Sequence, residues 1–225
     1  MEVLVPIFIV LFIGLAVFGL VQAAKRRKAL AAWAAGRGLY YQHGKDRTFG
    51  ATFPGFKKLN QGHSRYAHNI MTGKWYGMDM VAFDYHYKTG SGKNESTHTF
   101  SAVIVESPIV LKPLYIRRES FFDKIAEFVG LDDIDFESAE FSRKFYVKAS
   151  DRKFAYDVIH QRMIEYLLTA PSMNVQFDLM HVMASRGRRF GPAEFEAAAE
   201  HIHAIMDLLP DYLVRQQREL SGRTR

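Results

Sequence analysis

The sequence predicts an α+β fold, in which an N-terminal single transmembrane helix is followed by an antiparallel-sheet domain with two longer helices packed on it. Three patterns predict this fold class. Residues 3–21 contain no charge, residues 78–87 alternate between apolar and polar side chains, and two segments in the second half repeat apolar residues at helical spacing.

The apolar run at residues 3–21 has the length of a membrane-spanning helix. Fifteen of its 19 residues are Val, Leu, Ile or Phe. At about 1.5 Å per residue the run is roughly 28 Å long, close to the ~30 Å hydrocarbon core of a bilayer. Four cations follow it, and cationic flanks stay cytoplasmic. We therefore predict a single-pass protein of the cell membrane, with the N-terminus outside and the bulk of the chain cytoplasmic.

A cleaved signal peptide is the alternative interpretation of this run. Such a peptide carries its positive charge before a shorter apolar core and ends in small residues. Here the charge follows the run, which favours a retained helix, although Val21-Gln22-Ala23 is compatible with cleavage.

Basic residues are concentrated next to the apolar run. Residues 25–75 contain eleven Lys and Arg against one acid, whereas residues 76–225 contain nineteen against twenty-two. An anionic leaflet attracts such a segment by about 1 kcal/mol per cation that reaches it. We expect the partners to be the membrane, its anionic lipid headgroups and an unidentified protein. The clustering argues against nucleic acid. The predicted membrane-surface residues are Lys25, Arg26, Arg27 and Lys28.

The chain is expected to divide at the end of the apolar run and again near its C-terminus. The predicted parts are a transmembrane anchor at 1–24, a basic juxtamembrane helix or linker at 25–38, a single α+β cytoplasmic domain at 39–218 and a tail at 219–225.

In the first half of the chain, strong helix formers extend the first helix to Gly36 and Gly38. Loops with short strands are expected at 39–75. The alternating runs on either side of the turn at 89–94 predict a β-hairpin, because a short Gly-containing connection joins them. Another strand is predicted at 114–117.

In the second half, Ser120 and Asp123 have the spacing of a capping box, which predicts a short helix ending at Gly130. A strand is then predicted at 139–148, a helix from Ser150 or Asp151 to about Thr169, and a second hairpin or bent strand at 173–183. The pair Gly191-Pro192 opens the last helix.

Apolar residues of the last helix recur at intervals of four and three. The stripe serves either a partner helix or the chain's own sheet, and Pro210 favours the sheet because it would interrupt a continuous coiled coil. The stripe consists of Phe195, Ala199, Ile202, Met206, Leu209 and Leu213.

Candidate chemistry is sparse, and we assign no catalytic residue, metal or other cofactor. Cysteine is absent. The string Thr89-Gly90-Ser91-Gly92-Lys93 lacks the spacing of a P-loop and joins two antiparallel strands, which favours a turn. His86 and His98 lie on partner strands, but the apolar register places them on opposite faces. The acidic residues 132–137 are expected to form a solvated turn.

Three motifs occur in an order that resembles an uncharacterised group of actinobacterial membrane proteins of unknown function. The resemblance covers roughly residues 33–215, and implies a single anchor with one compact α+β domain and no assigned activity. The motifs are Thr72-Gly73-x-Trp75-x-Gly77, Ala82-Phe83-Asp84-Tyr85-x-Tyr87-x-Thr89 and Phe136-Glu137-Ser138-x-Glu140-Phe141-x-x-x-Phe145-x-Val147-x-x-x-Asp151.

These patterns favour a non-catalytic interaction module at the cytoplasmic face of the membrane. The alternative hypothesis is an enzyme, a metal-assisted hydrolase that uses His, Asp and Glu of the 63–98 region. Within the strand motifs, Asp84 and His86 are expected on the outer face.

Overall fold

A computed structural model describes residues 4–119 and 131–223, with side chains described for 11–119 and 131–219. The strands are β1 (Tyr40–Gln42), β2 (His63–Trp75), β3 (Met78–Thr89), β4 (Ser96–Arg118), β5 (Asp132–Asp133), β6 (Phe145–Ala149) and β7 (Asn174–Arg186). The helices are α1 (Leu4–Gly36), α2 (Phe49–Thr52), α3 (Lys57–Asn60), α4 (Ala139–Lys144), α5 (Arg152–Val158), α6 (Gln161–Thr169), α7 (Pro192–Asp207) and α8 (Asp211–Arg223).

The seven strands form one antiparallel sheet, which confirms the sheet part of the predicted fold class. The strand order is β1-β2-β3-β4-β6-β5, and β7 pairs with β4. The hairpin of β3 and β4 is in the predicted register, with Phe83 opposite Ala102 and Tyr85 opposite Phe100. This register places His98 opposite Tyr87, on the other face from His86.

The transmembrane part of the predicted fold class is wrong. No helix among the described residues has both the length and the apolar character needed to cross a membrane. The finding overturns the single-pass location with an outside N-terminus and a cytoplasmic domain. The N-terminal apolar residues belong to a helix that continues without a break to Gly36, and the second part of this helix buries Leu30 and Ala34 in the domain core.

Each face of the sheet carries its own apolar cluster. On one face Phe56 and Leu59, from the α2–α3 segment, cover Phe83 and Tyr85. The larger cluster includes residues of α1 and α5 to α8 with Val103 of β4. The apolar stripe of the last helix contributes Phe195, Ile202, Leu209 and Leu213 to this larger cluster, so the predicted packing on the chain's own sheet is confirmed.

Several local predictions differ from the structure. The segment at 39–75 contains the 13-residue strand β2, which two bulges interrupt. The strand predicted at 139–148 is α4 followed by β6, and the strand at 114–117 is the end of β4. Asp151 caps the predicted helix by accepting from the Phe154 N–H, but that helix divides into α5 and α6. The helix predicted at 120–130 lies outside the described residues.

A buried histidine in α7 gives the fold a pH dependence. His201 is 2% exposed, and its Nδ1 lies 2.8 Å from the Tyr166 hydroxyl. Burial lowers the pKa of His201 to about 4, with a smaller effect from the Arg186 charge. Its pKa in the unfolded chain is about 6.5. The neutral ring therefore stabilises the fold above pH 6.5, and this contribution is lost as the pH falls towards 4.

We expect the free energy of unfolding to fall by about 3 kcal/mol between pH 7 and 4 because of this one group. The His201→Phe variant should lose this component of the pH dependence, whereas His98→Phe, at a half-buried position, should keep it. Urea denaturation at a series of pH values measures the difference. Parallel pH profiles for wild type and His201→Phe would contradict the assignment.

Candidate functional site

The most extensive polar cluster of the described residues surrounds Asp84, in the middle of β3. Asp84 has no exposed surface. The guanidinium of Arg26 donates to both carboxylate oxygens, at 2.7 and 2.8 Å. Ser101 Oγ donates to Oδ1 at 2.5 Å, and Asn69 Nδ2 donates to Oδ2 at 2.8 Å. We call these four residues the Asp84 cluster.

Strand register places three members of the cluster together. Ser101 of β4 is directly opposite Asp84, and His68 of β2 is opposite it on the other side. The bulge between His68 and Met71 then turns Asn69, which has a φ of 49°. Asparagine is one of the few residues that adopt this left-handed conformation readily. The bulge therefore brings the Asn69 amide to the carboxylate.

Arg26 joins α1 to this part of the sheet. In addition to Asp84, its guanidinium donates to the Phe190 carbonyl from Nε at 2.9 Å and from Nη2 at 2.6 Å. The Phe190 N–H donates in turn to Ser101 Oγ at 2.9 Å. The ion pair and its hydrogen bonds thus connect α1, three strands and the segment that precedes α7.

The electrostatics keep Asp84 ionised. Burial by itself raises the pKa of Asp84, but hydrogen bonds from Arg26, Ser101 and Asn69, together with the Arg26 charge, hold that pKa below its ordinary value. The carboxylate accepts four hydrogen bonds, which occupies its lone-pair positions. A carboxylate with a lowered pKa and no free acceptor position is poorly suited to accept a proton from a substrate. The cluster is arranged to hold α1 on the sheet.

An outer layer of hydrogen bonds surrounds Asn69. Its Oδ1 accepts from the Tyr41 hydroxyl at 2.7 Å, and His43 Nδ1 lies 2.9 Å from the same oxygen. Arg27 Nη1 lies 3.0 Å from His43 Nε2. Since arginine only donates, Nε2 must accept, and the His43 proton is on Nδ1, which donates to Asn69.

A surface that we call the cationic surface lies outside the cluster. It consists of the cations Arg27, Lys45 and Arg189 together with two histidines, His43 and His68. Lys45 Nζ lies 4.4 Å from the Tyr66 ring centroid, and the Tyr66 ring is 5.6 Å from the His68 ring. Within the part of the chain that the structure describes, Arg27, Lys45 and Arg189 have no carboxylate partner in an ion pair.

His68 lies between this surface and Asp84. Burial lowers the pKa of His68, the Asp84 charge opposes this, and the neighbouring Arg189, Arg26 and His43 side chains lower the pKa further. His68 Nε2 is 3.7 Å from Asp84 Oδ2, and its Nδ1 is buried with no partner among the described residues.

The four residues that the sequence predicts to lie at a membrane surface have different environments in the structure. Lys25, Arg27 and Lys28 are exposed, whereas the Arg26 side chain is 23% exposed and turned into the domain. The expectation that Asp84 lies on an outer face is wrong, because α1 covers that face. The signal that identifies it in the sequence is an acidic residue between Phe83 and Tyr85, in the middle of a strand.

Other candidate groups remain dispersed. His68 and His86 lie on the face opposite His98, and the described residues contain no group of three or more potential metal-ligating side chains. The string at 89–93 is in the hairpin connection, as predicted. In the acidic segment, Asp133 pairs with Lys148 at 3.4 Å.

Comparisons with known proteins support the fold and not a family assignment. No family model matches the chain, and no curated protein matches it. Among solved structures, the fold is similar to that of the mycobacterial trehalose monomycolate transport factor A, TtfA, with a TM-score of 0.61 and 10% identity over 82% of this chain and 96% of that chain.

Proposed function

We propose that this chain is a non-catalytic accessory protein that binds phosphate-bearing partners, in particular anionic lipid headgroups, through the cationic surface. The observation that carries the proposal is the saturation of Asp84. The Asp84 cluster is used internally to hold α1. On the surface beside it lie Arg27, Lys45 and Arg189, which have no carboxylate partner among the described residues. A similar fold in a protein named as a transport factor supports an accessory role.

The hydrolase alternative needs histidines and carboxylates of the 63–98 region around one metal. His98 stacks on Tyr87 at 4.7 Å, on the other face of the sheet from His68. Asp84, the buried carboxylate of that region, is bound by Arg26. No contact among residues 4–119 and 131–223 favours this alternative over the binding function.

We expect the triple variant Arg27→Glu/Lys45→Glu/Arg189→Glu to bind vesicles containing phosphatidylglycerol about 100-fold or more weakly than wild type. Each cation near an anionic surface contributes about 1 kcal/mol, and three such losses correspond to roughly a hundredfold. Vesicle co-sedimentation at low and high salt measures the effect, since salt screens the attraction.

The matched control is Arg143→Glu/Arg152→Glu/Arg162→Glu, which makes the same charge change at exposed positions of α4, α5 and α6. This control should retain most of the binding. Equal losses in both triple variants, or equal wild-type binding to neutral and anionic vesicles, would show that the cationic surface is not the binding site.

A further inference from the structure

A second site is a cavity of about 250 Å³ between the β2–β3 turn, the middle of β4, α7 and α8. Its lining is mainly apolar and includes Met78, Ile109, Leu209 and Val214. At the packing density of protein interiors, about 0.74, this volume accommodates roughly ten non-hydrogen atoms. The cavity is therefore the size of a short acyl chain or a single ring system.

The residue at the rim of the cavity is unusual for its position in the turn. Tyr76 and Gly77 connect β2 to β3 with φ values of 47° and 82°. Two positive φ values define a type I′ turn, in which Asn or Gly is the usual first residue. A tyrosine in this conformation is strained, because its Cβ crowds the following carbonyl oxygen. The turn geometry therefore does not explain the choice of tyrosine.

The Tyr76 side chain has contacts that do explain it. Its ring stacks on His203 with centroids 4.0 Å apart and an interplanar angle of 17°, and its hydroxyl donates to Glu200 at 3.1 Å. The side chain is nevertheless 64% exposed. Tyr76 thus places an aromatic wall at the mouth of an apolar cavity, with solvent on its outer side.

Polar groups at the cavity indicate the kind of molecule it would bind. The Arg218 guanidinium is exposed and has no ion pair with any carboxylate among residues 11–119 and 131–219. Asp207 also lines the cavity, but its carboxylate lies 3.4 Å from His203 Nε2. His203 Nδ1 is buried with no hydrogen-bond partner in the same part of the chain. The unsatisfied groups are a fixed positive charge and a ring nitrogen.

We propose that this cavity binds a small amphipathic carboxylic acid. The apolar chain packs among Ile109, Leu209 and Val214, and the carboxylate pairs with Arg218. A guanidinium matches a carboxylate in a bidentate geometry, which a hydroxyl group cannot reproduce. This binding function is separate from the cationic surface and does not depend on it.

Isothermal titration of the full chain with octanoate, below its micellar concentration, tests the proposal. We expect saturable binding of octanoate to wild type, and binding of octanol at least about 10-fold weaker. Arg218→Gln should weaken octanoate binding at least about 10-fold, to the level of octanol. Val214→Phe, which fills the cavity, should abolish the binding of both.

The control variant is Arg215→Gln, an exposed arginine of the same helix that does not line the cavity. It should bind octanoate like wild type, and thermal unfolding should show that each variant is folded. The proposal fails if octanoate does not bind, if octanol binds equally well, or if Arg218→Gln and Arg215→Gln behave alike. A comparison of these two arginine variants also distinguishes octanoate binding in the cavity from weak association of octanoate with apolar surface elsewhere on the protein.

Discussion

The Asp84→Ala variant is expected to lose about 3–5 kcal/mol of its free energy of unfolding, the usual cost of removing one partner from a buried ion pair. The substitution leaves the Arg26 guanidinium without its counter-ion between α1 and the sheet. It also removes the acceptor of the Ser101 hydroxyl and of the Asn69 side-chain amide. Urea denaturation followed by circular dichroism at pH 7 measures the loss.

The ion pair also has a defined pH dependence. Because the pKa of Asp84 is lowered in the folded state, its contribution is present above the unfolded pKa of about 4, and is lost as the pH falls through the folded value. Wild type should therefore lose stability in this acid range, whereas Asp84→Ala should lack that component. The window lies below the one assigned to His201.

Two controls separate this effect from general sensitivity to charge. Glu140→Ala removes an exposed ion pair with Lys144 and should leave the free energy of unfolding nearly unchanged, because solvent screens the attraction between exposed charges. The double variant Arg26→Leu/Asp84→Leu should lose less than the sum of its single variants, because neither charge is then left unpaired. A loss below about 1 kcal/mol in Asp84→Ala, or strict additivity, would contradict the role of the pair.

The Phe195→Ala variant should also lose about 3–5 kcal/mol, the range found when a fully buried aromatic side chain is truncated. Phe195 has no exposed surface. Its ring centroid lies 6.1 Å from that of Trp33 in α1 and 5.3 Å from that of Phe190. The truncation opens a cavity where α1 and α7 meet, so thermal and urea unfolding should both report it.

The matched control is Tyr212→Ala in α8, where the side chain is 49% exposed and a loss below about 1 kcal/mol is expected. If the stripe on α7 instead served a partner helix, Phe195→Ala would change the oligomeric state and leave the monomer's stability nearly unchanged. Light scattering on both variants distinguishes these results.

Local patterns predicted those elements whose contacts are close in sequence. The hairpin of β3 and β4 follows from strict alternation around a six-residue connection, and Phe83 and Tyr85 lie on the predicted face. The start of α7 at Pro192 follows from the proline at its first position. In each case the deciding interactions lie within a few residues or across one turn.

The sequence predicts the wrong structure where the alternation of apolar residues is interrupted, or where contacts with a distant element determine the conformation. Two bulges displace the alternation of β2, so the sequence predicts loops with short strands where the structure has a 13-residue strand. Residues 139–148 contain phenylalanines at spacings that suit a strand or a helix, and the chain uses both in succession. The transmembrane prediction for residues 3–21 is wrong because no helix among the described residues combines the length and the apolar character that crossing a membrane requires.

The sequence by itself determined which side chains share a face of the hairpin, because alternation is a property of the backbone. It determined that Asp84 faces away from Phe83 and Tyr85, but the nature of the opposite face was decided by tertiary structure. Arg26 reaches Asp84 across 58 residues of sequence and covers that face with α1. Periodicity orients a side chain relative to its own strand, and only the packing of distant elements decides whether it meets water, a counter-ion or the core.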